Sequence, residues 1–247
     1  MKRGLFILLL AALGLQSHAK STMYNEFSIP FASYASYLGE ALDVDVSLPA
    51  GFTDHQRMCQ YEPVTASGET GFTTLVGAML QSDDGNCLVM MPDMQWRAND
   101  LWQGDPGFAS EFMKCQVYLT LKDEVYYVYL DQNPPLDLSK IVVSANAKKF
   151  NADTVLVSTL PTNDSIMGHR YTHRTHMVMS KVGHPVVEVS ILLTDQGEKN
   201  KKKYLDKVFA AIKFGKRKGW QYDNELHHTL RMKYIGKYHE YISKFIR

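Results

Sequence analysis

The chain reads as an α+β protein: a mostly antiparallel sheet flanked by helices, with an added amphipathic helix at the C-terminus. Three observations predict this class. Stretches that alternate apolar and polar residues recur between short turns, as at 43–48 and 168–194. Between them lie stretches with apolar residues three and four apart, as at 199–212. The connection Asp83-Asp84-Gly85-Asn86 joins two apolar runs and is a hairpin signal, which favours antiparallel pairing over crossover helices.

The first nineteen residues stand apart. Lys2 and Arg3 precede an unbroken apolar run over residues 5–15, interrupted only by Gly14, and Ser17-His18-Ala19 supplies small residues two apart. This pattern predicts a secretory signal peptide, residues 1–19, cut after Ala19. The run is shorter than the roughly 20 residues a membrane span needs. No cysteine lies near the cut, so a lipoprotein is not expected. The expected product is exported, periplasmic or extracellular, and soluble. Residues 20–215 are expected to form the α+β domain, and 216–247 a basic C-terminal helical extension.

Along the domain, residues 24–42 carry Phe31, Tyr34, Ala35, Leu38, Ala41 and Leu42 at helical spacing, with Pro30 at an early helix position. Residues 43–48 alternate as a strand. The hairpin around residue 84 spans 73–91. A short helix is predicted over 109–114, then a strand pair over 116–130, because "QVYLTLK" and "VYYVYL" flank Asp123-Glu124. Residues 139–150 read as helical. Residues 154–159 read as a buried strand closed by Pro161, since proline cannot donate to a ladder. Two long antiparallel strands are predicted within 168–194. Residues 199–212 read as one amphipathic helix with Tyr204, Leu205, Val208, Phe209 and Ile212 on one face. The last element, 223–245, places Leu226, Leu230, Tyr234, Tyr238, Tyr241 and Phe245 on one face, with Arg231, Lys233, Lys237 and Lys244 off it.

The formal net charge of +1 hides a split. Residues 20–195 hold 11 Lys and Arg against 21 Asp and Glu, and residues 196–247 hold 14 against 5. Such asymmetry can mark a membrane or nucleic-acid surface, or a basic tail packed on an acidic body. Export removes most nucleic acid from reach, so no nucleic-acid partner is expected and the packed tail is preferred. Three cysteines, Cys59, Cys87 and Cys115, allow at most one internal bridge, or three buried thiols.

The segment "VEVSILLTDQGEKNKKKYLDKVFAAIKF", residues 187–214, resembles the Mog1/PsbP-like superfamily in its strand, Thr-Asp-x-Gly turn, lysine-rich helix and "AIKF" exit. Residues 147–161 and "DVSLPAGF", residues 45–52, are similar to other parts of that pattern. The resemblance implies an antiparallel sheet with helices on both faces. It also implies an adaptor, chaperone or complex-subunit role, and it carries no shared catalytic residues.

Candidate chemistry gathers on residues 169–184. The histidines are His169, His173 and His176, with His184 nearby: His169 and His173 fall on one side of a strand, with Tyr171 between them, His176 points the other way, and His184 could reach the first two across the hairpin as a third metal ligand. Arg170 and Arg174 interleave the histidines and repel a cation; Asp164 is a possible carboxylate partner. No nucleophile elbow, zinc-protease motif, phosphate loop or dinucleotide fingerprint is present. Trp96, Trp102 and Phe108 could form an aromatic recognition loop, and Tyr234, Tyr238 and Tyr241 a binding face on the last helix. The sequence thus predicts a non-catalytic binding protein whose partner is another protein, with no cofactor. The alternatives are a metal-dependent or hydrolytic enzyme on the His169/His173 strand, and a membrane-surface binder using the basic C-terminal helix.

Overall fold

A computed structural model describes residues 22–64, 74–92, 108–122 and 138–243. The predicted leader, Trp96, Trp102 and residues 123–130 lie outside the described residues. In chain order the elements are β1 (Thr22–Ser28), α1 (Phe31–Leu42), β2 (Val44–Val46), β3 (Phe52–Asp54), β4 (Arg57–Glu62), β5 (Thr74–Ser82), β6 (Cys87–Pro92) and α2 (Phe108–Lys122). There follow β7 (Val142–Ser144), β8 (Thr154–Ile166), β9 (His169–Ser180), β10 (Val187–Leu193), α3 (Asp195–Lys199), α4 (Lys201–Ala210), β11 (Ile212–Phe214) and α5 (Asn224–Ser243). The fold is α+β, as the sequence predicts.

One sheet dominates, in the order β1-β4-β5-β6-β10-β9-β8-β7 with β3 on β5, and its pairings are antiparallel. β11 and β2 form a second, two-stranded sheet. The first face of the large sheet carries Val89, Met91, Ile191, Met177 and Val157, and joins Tyr34 and Leu38 of α1 and Tyr204 and Val208 of α4 in one buried cluster. Gly77 lets α1 settle: a Cβ there would stand 2.6 Å from the Tyr34 ring. On the second face, α2 lays Ala109, Phe112, Met113 and Val117 over Leu160, Val178 and Val186.

The sheet also curls over its second face. β4 and β8 are five strand steps apart, which in a flat sheet is about 24 Å. Yet the Tyr61 hydroxyl on β4 donates to the Asp164 carboxylate on β8, and the Val64 N–H donates to the same carboxylate at 2.9 Å. One end of the sheet is therefore clasped to the other.

Several expected elements differ. Residues 116–122 continue α2 rather than forming a strand, because Ala109, Phe112, Met113 and Val117 bury a helical face that outweighs the alternation of the same letters. Residues 139–150 are two single 3-10 turns, Leu138–Lys140 and Ala147–Phe150, either side of β7. The Asn146 side chain caps the second turn, and Asn151 in the left-handed region ends it. β8 does not stop at Pro161 but runs to Ile166. Past Ser158 it has no β7 neighbour, and a proline on such an outer strand is tolerated. β1 occupies the start of the stretch expected to be helical; α1 begins only after Pro30.

The single helix expected over 199–212 is two. Thr194 caps α3 by accepting from the Gly197 N–H at 3.0 Å, the chain breaks at Asn200, and Ile212 leaves α4 to pair with Val46. On α5 the buried face is His227, Leu230 and Arg231, with Tyr234 half-buried. Leu226, expected on the apolar face, is 44% exposed, whereas Arg231, expected off it, is buried. Asp223 sets this phase by accepting from the Leu226 N–H at 2.9 Å. α5 packs on α1 of the same chain, where the Tyr234 hydroxyl donates to Glu40 at 2.8 Å.

Candidate functional site

The middle of β8, β9 and β10 brings polar residues into register on the second face. Leu160, Arg174 and Leu192 form one row across the strands, and Ser158, His176 and Ser190 form the next. Glu188 lies in the row beyond, opposite Val178. All four of Arg174, His176, Ser158 and Glu188 are buried.

Arg174 and Asp164 are the charged centre. Arg174 Nη2 donates to Asp164 Oδ2 at 2.7 Å and to the Tyr61 hydroxyl at 3.0 Å. Thr162 Oγ1 lies 2.8 Å from Asp164 Oδ2 and 2.8 Å from the Val64 carbonyl. Burial alone would raise the Asp164 pKa; the Arg174 charge, the Tyr61 hydroxyl and the Val64 N–H overcome it and hold the carboxyl below its ordinary range. Burial likewise works against the Arg174 charge, and Asp164 outweighs it. Arg174 Nε has no hydrogen-bond partner among the described residues.

One row on, His176 Nδ1 lies 3.2 Å from Ser190 Oγ and 3.3 Å from Glu188 Oε1. Ser158 Oγ, beside it in register, is buried with no hydrogen-bond partner among the described residues. Serine, histidine and glutamate are the residue types of a nucleophile, its base and the base's orienter. Here the Ser158 hydroxyl has no hydrogen-bond partner among the described residues, Ser190 meets the same imidazole nitrogen as Glu188, and His176 is only 1% exposed. The arrangement binds strands together more than it presents a reacting group.

The histidines singled out in the sequence disperse. His169 opens β9 and packs on the hairpin turn, where a Cβ on Gly85 would stand 2.3 Å from its ring. His173 Nδ1 lies 3.0 Å from Thr172 Oγ1, whose hydroxyl donates to Asp195 at 2.6 Å. His184 lies past the other end of β9, with Nε2 3.4 Å from Asp43 and its ring stacked 4.3 Å from Trp220. A strand of β9's length separates His169 from its far end by about 36 Å. Among the described residues no three His, Cys, Asp or Glu side chains converge on a metal position. The strict alternation also breaks. Tyr171 and Arg174, three positions apart, both reach Tyr61's cluster, and β8 shifts register between Pro161 and Asp164 directly opposite.

Of the other candidates, Phe108 opens α2, and Tyr238 and Tyr241 lie on α5. Tyr234 bonds Glu40 and Ser36 of α1. Cys59 and Cys87 are buried free thiols in clusters on opposite faces of the sheet. Burial pushes the Cys59 thiol up to about 12 and raises that of Cys87 as well. Sequence reasoning noted Asp164 and Arg174 but not their pairing, set His176 on the side of the strand away from His169 and His173, and passed over Tyr61 and Glu188. Only the alternation of β9, which puts Arg174 and His176 on one side, could have linked any of these.

No helix among the described residues is long and apolar enough to cross a membrane. No family model matches the chain, and neither a curated protein nor a solved structure matches it.

Proposed function

We propose that the protein is an exported, non-catalytic binding protein, an adaptor or subunit of a larger assembly whose partner is another protein. One observation carries this reading: buried charged and histidine side chains among the described residues are engaged inside the fold. Asp164 holds Arg174, His176 meets Glu188, His184 meets Asp43, and His227 bonds Tyr37 and Tyr222. Outward chemistry is left to the charged surface, and a charged surface recognises partners rather than transforming substrates. The resemblance of residues 187–214 to the Mog1/PsbP-like superfamily supports the same role.

Zero-length cross-linking in the native cell envelope, followed by native electrophoresis and mass spectrometry, tests it. The expected result is one protein joined to this chain in fixed stoichiometry. Migration at the monomer mass in the envelope, together with covalent capture of Ser158 by a fluorophosphonate probe, would replace this reading with a hydrolase centred on His176.

A further inference from the structure

The turn between β9 and β10 and the loop after β11 build one basic, protruding end of the molecule. Lys181 Nζ donates to the Gly215 carbonyl at 3.0 Å, which brings the turn against the Lys216-Arg217-Lys218 run. Asn151 Nδ2 donates to the Phe214 carbonyl at 3.1 Å and ties Lys148 and Lys149 to the same loop. Lys148, Lys149, Lys216, Arg217 and Lys218 are exposed. The carboxylates nearby include Asp43, buried and facing Arg217 and His184, Asp153, which accepts from the Val182 N–H at 2.7 Å, exposed Glu40, within reach of the Arg217 charge, and exposed Asp45, opposite Lys213. Lysine predominates; Arg217 is held by its bond to the Gly39 carbonyl at 2.7 Å, and Lys181 by its bond to Gly215.

At the tip stands Val182, 62% exposed. Its backbone is held from both sides, by Asp153 and by His184 Nδ1, 3.1 Å from its carbonyl. Gly183, with φ of 76°, turns the chain behind it. Trp220, half-buried, stacks on His184 two residues away. One largely exposed aliphatic side chain, an adjacent indole and several exposed lysines fit a soft, diffuse negative surface. A protein partner of matching shape would need a concave acidic socket and would favour fixed ion-pair geometry, which the lysines here lack.

We infer that this end docks the protein on an anionic phospholipid bilayer, with Val182 entering the headgroup layer and the lysines meeting the phosphates. The described buried face of the C-terminal helix is turned to α1. The inference stands whether or not a protein partner exists.

Vesicle flotation with the exported chain tests it, using phosphatidylcholine vesicles with and without phosphatidylglycerol at about 0.15 M salt. Each cation near such a surface contributes about fivefold in affinity, so losing two costs about thirtyfold. Binding to the phosphatidylglycerol vesicles alone is expected, weakened about thirtyfold or more in Lys216→Glu/Lys218→Glu. Val182→Asp should weaken it too, at unchanged melting temperature. Lys202→Glu/Lys203→Glu, which makes the same charge change on α4, should float like the parent. Equal flotation on neutral vesicles, no flotation on anionic ones, or equal loss in the α4 variant overturns the inference. So does a patch variant that floats normally but loses an acidic protein partner.

Discussion

Asp164→Asn removes the negative half of the buried pair and leaves Arg174 charged, since guanidinium does not give up its proton in a fold. Asp164 is fully buried, and Arg174 is 7% exposed, so solvent cannot replace the lost partner. Breaking such a pair costs about 3–5 kcal/mol, because an uncompensated charge stays inside. The new amide keeps a single acceptor, so its NH2 must face either Arg174 Nη2 on one side or the Tyr61 hydroxyl and Val64 N–H on the other, all of which donated to the carboxylate. Total stability of a domain is about 5–15 kcal/mol, so the loss is a large fraction of it. Urea unfolding, followed by intrinsic fluorescence and extrapolated to water, reads the difference. The double variant Asp164→Leu/Arg174→Met should lose much less than the two single changes together, because both charges leave at once. The pH dependence has a definite sign. The folded-state pKa of Asp164 is lowered, so its contribution is fully present above the unfolded value of about 3.9 and fades as pH falls through the folded one. Parent and Asp164→Asn should therefore converge in stability in acid. A loss under about 1 kcal/mol at neutral pH, or strict additivity in the double variant, refutes the reasoning.

Two further outcomes follow from the same packing. Gly197→Ala places a Cβ 2.2 Å from the Asn86 carbonyl, a backbone atom that cannot step aside, and should cost about 1–3 kcal/mol by thermal unfolding. Cys59 and Cys87 should resist a thiol reagent such as dithionitrobenzoate in the native state and react only on unfolding; non-reducing peptide mapping should show no Cys59–Cys87 bridge, since the two lie in clusters on opposite faces.

Local signals carried the elements whose side chains meet near neighbours. Asp83 to Asn86 made the β5–β6 turn legible, and the alternation of residues 169–180 made β9 legible. Phe31, Tyr34, Leu38 and Leu42 announced α1 through their spacing. Residues 116–122 misled because the same letters satisfy both periods, and only the apolar patch of Leu160, Val178 and Val186 decides for helix. Leu226 misled because the helix phase is set by the Asp223 cap and the α1 surface, not by hydrophobicity alone. The charged centre was invisible for a different reason. Asp164 and Arg174 look like ordinary strand residues until the sheet curls and delivers Tyr61 and Val64 to them.

That clasp joins residues far apart in the chain: 100 positions separate Val64 from Asp164, and 113 separate Tyr61 from Arg174. Contacts of such range form late in folding, after the entropy of closing the intervening chain has been met. Interactions absent from the transition state govern the unfolding rate and leave the folding rate nearly untouched. On this reasoning Asp164→Asn is expected to speed unfolding and leave the folding rate nearly unchanged, as stopped-flow kinetics would show. Where a protease cleaves the opened chain faster than it recloses, the lifetime of the native state is the quantity that decides survival.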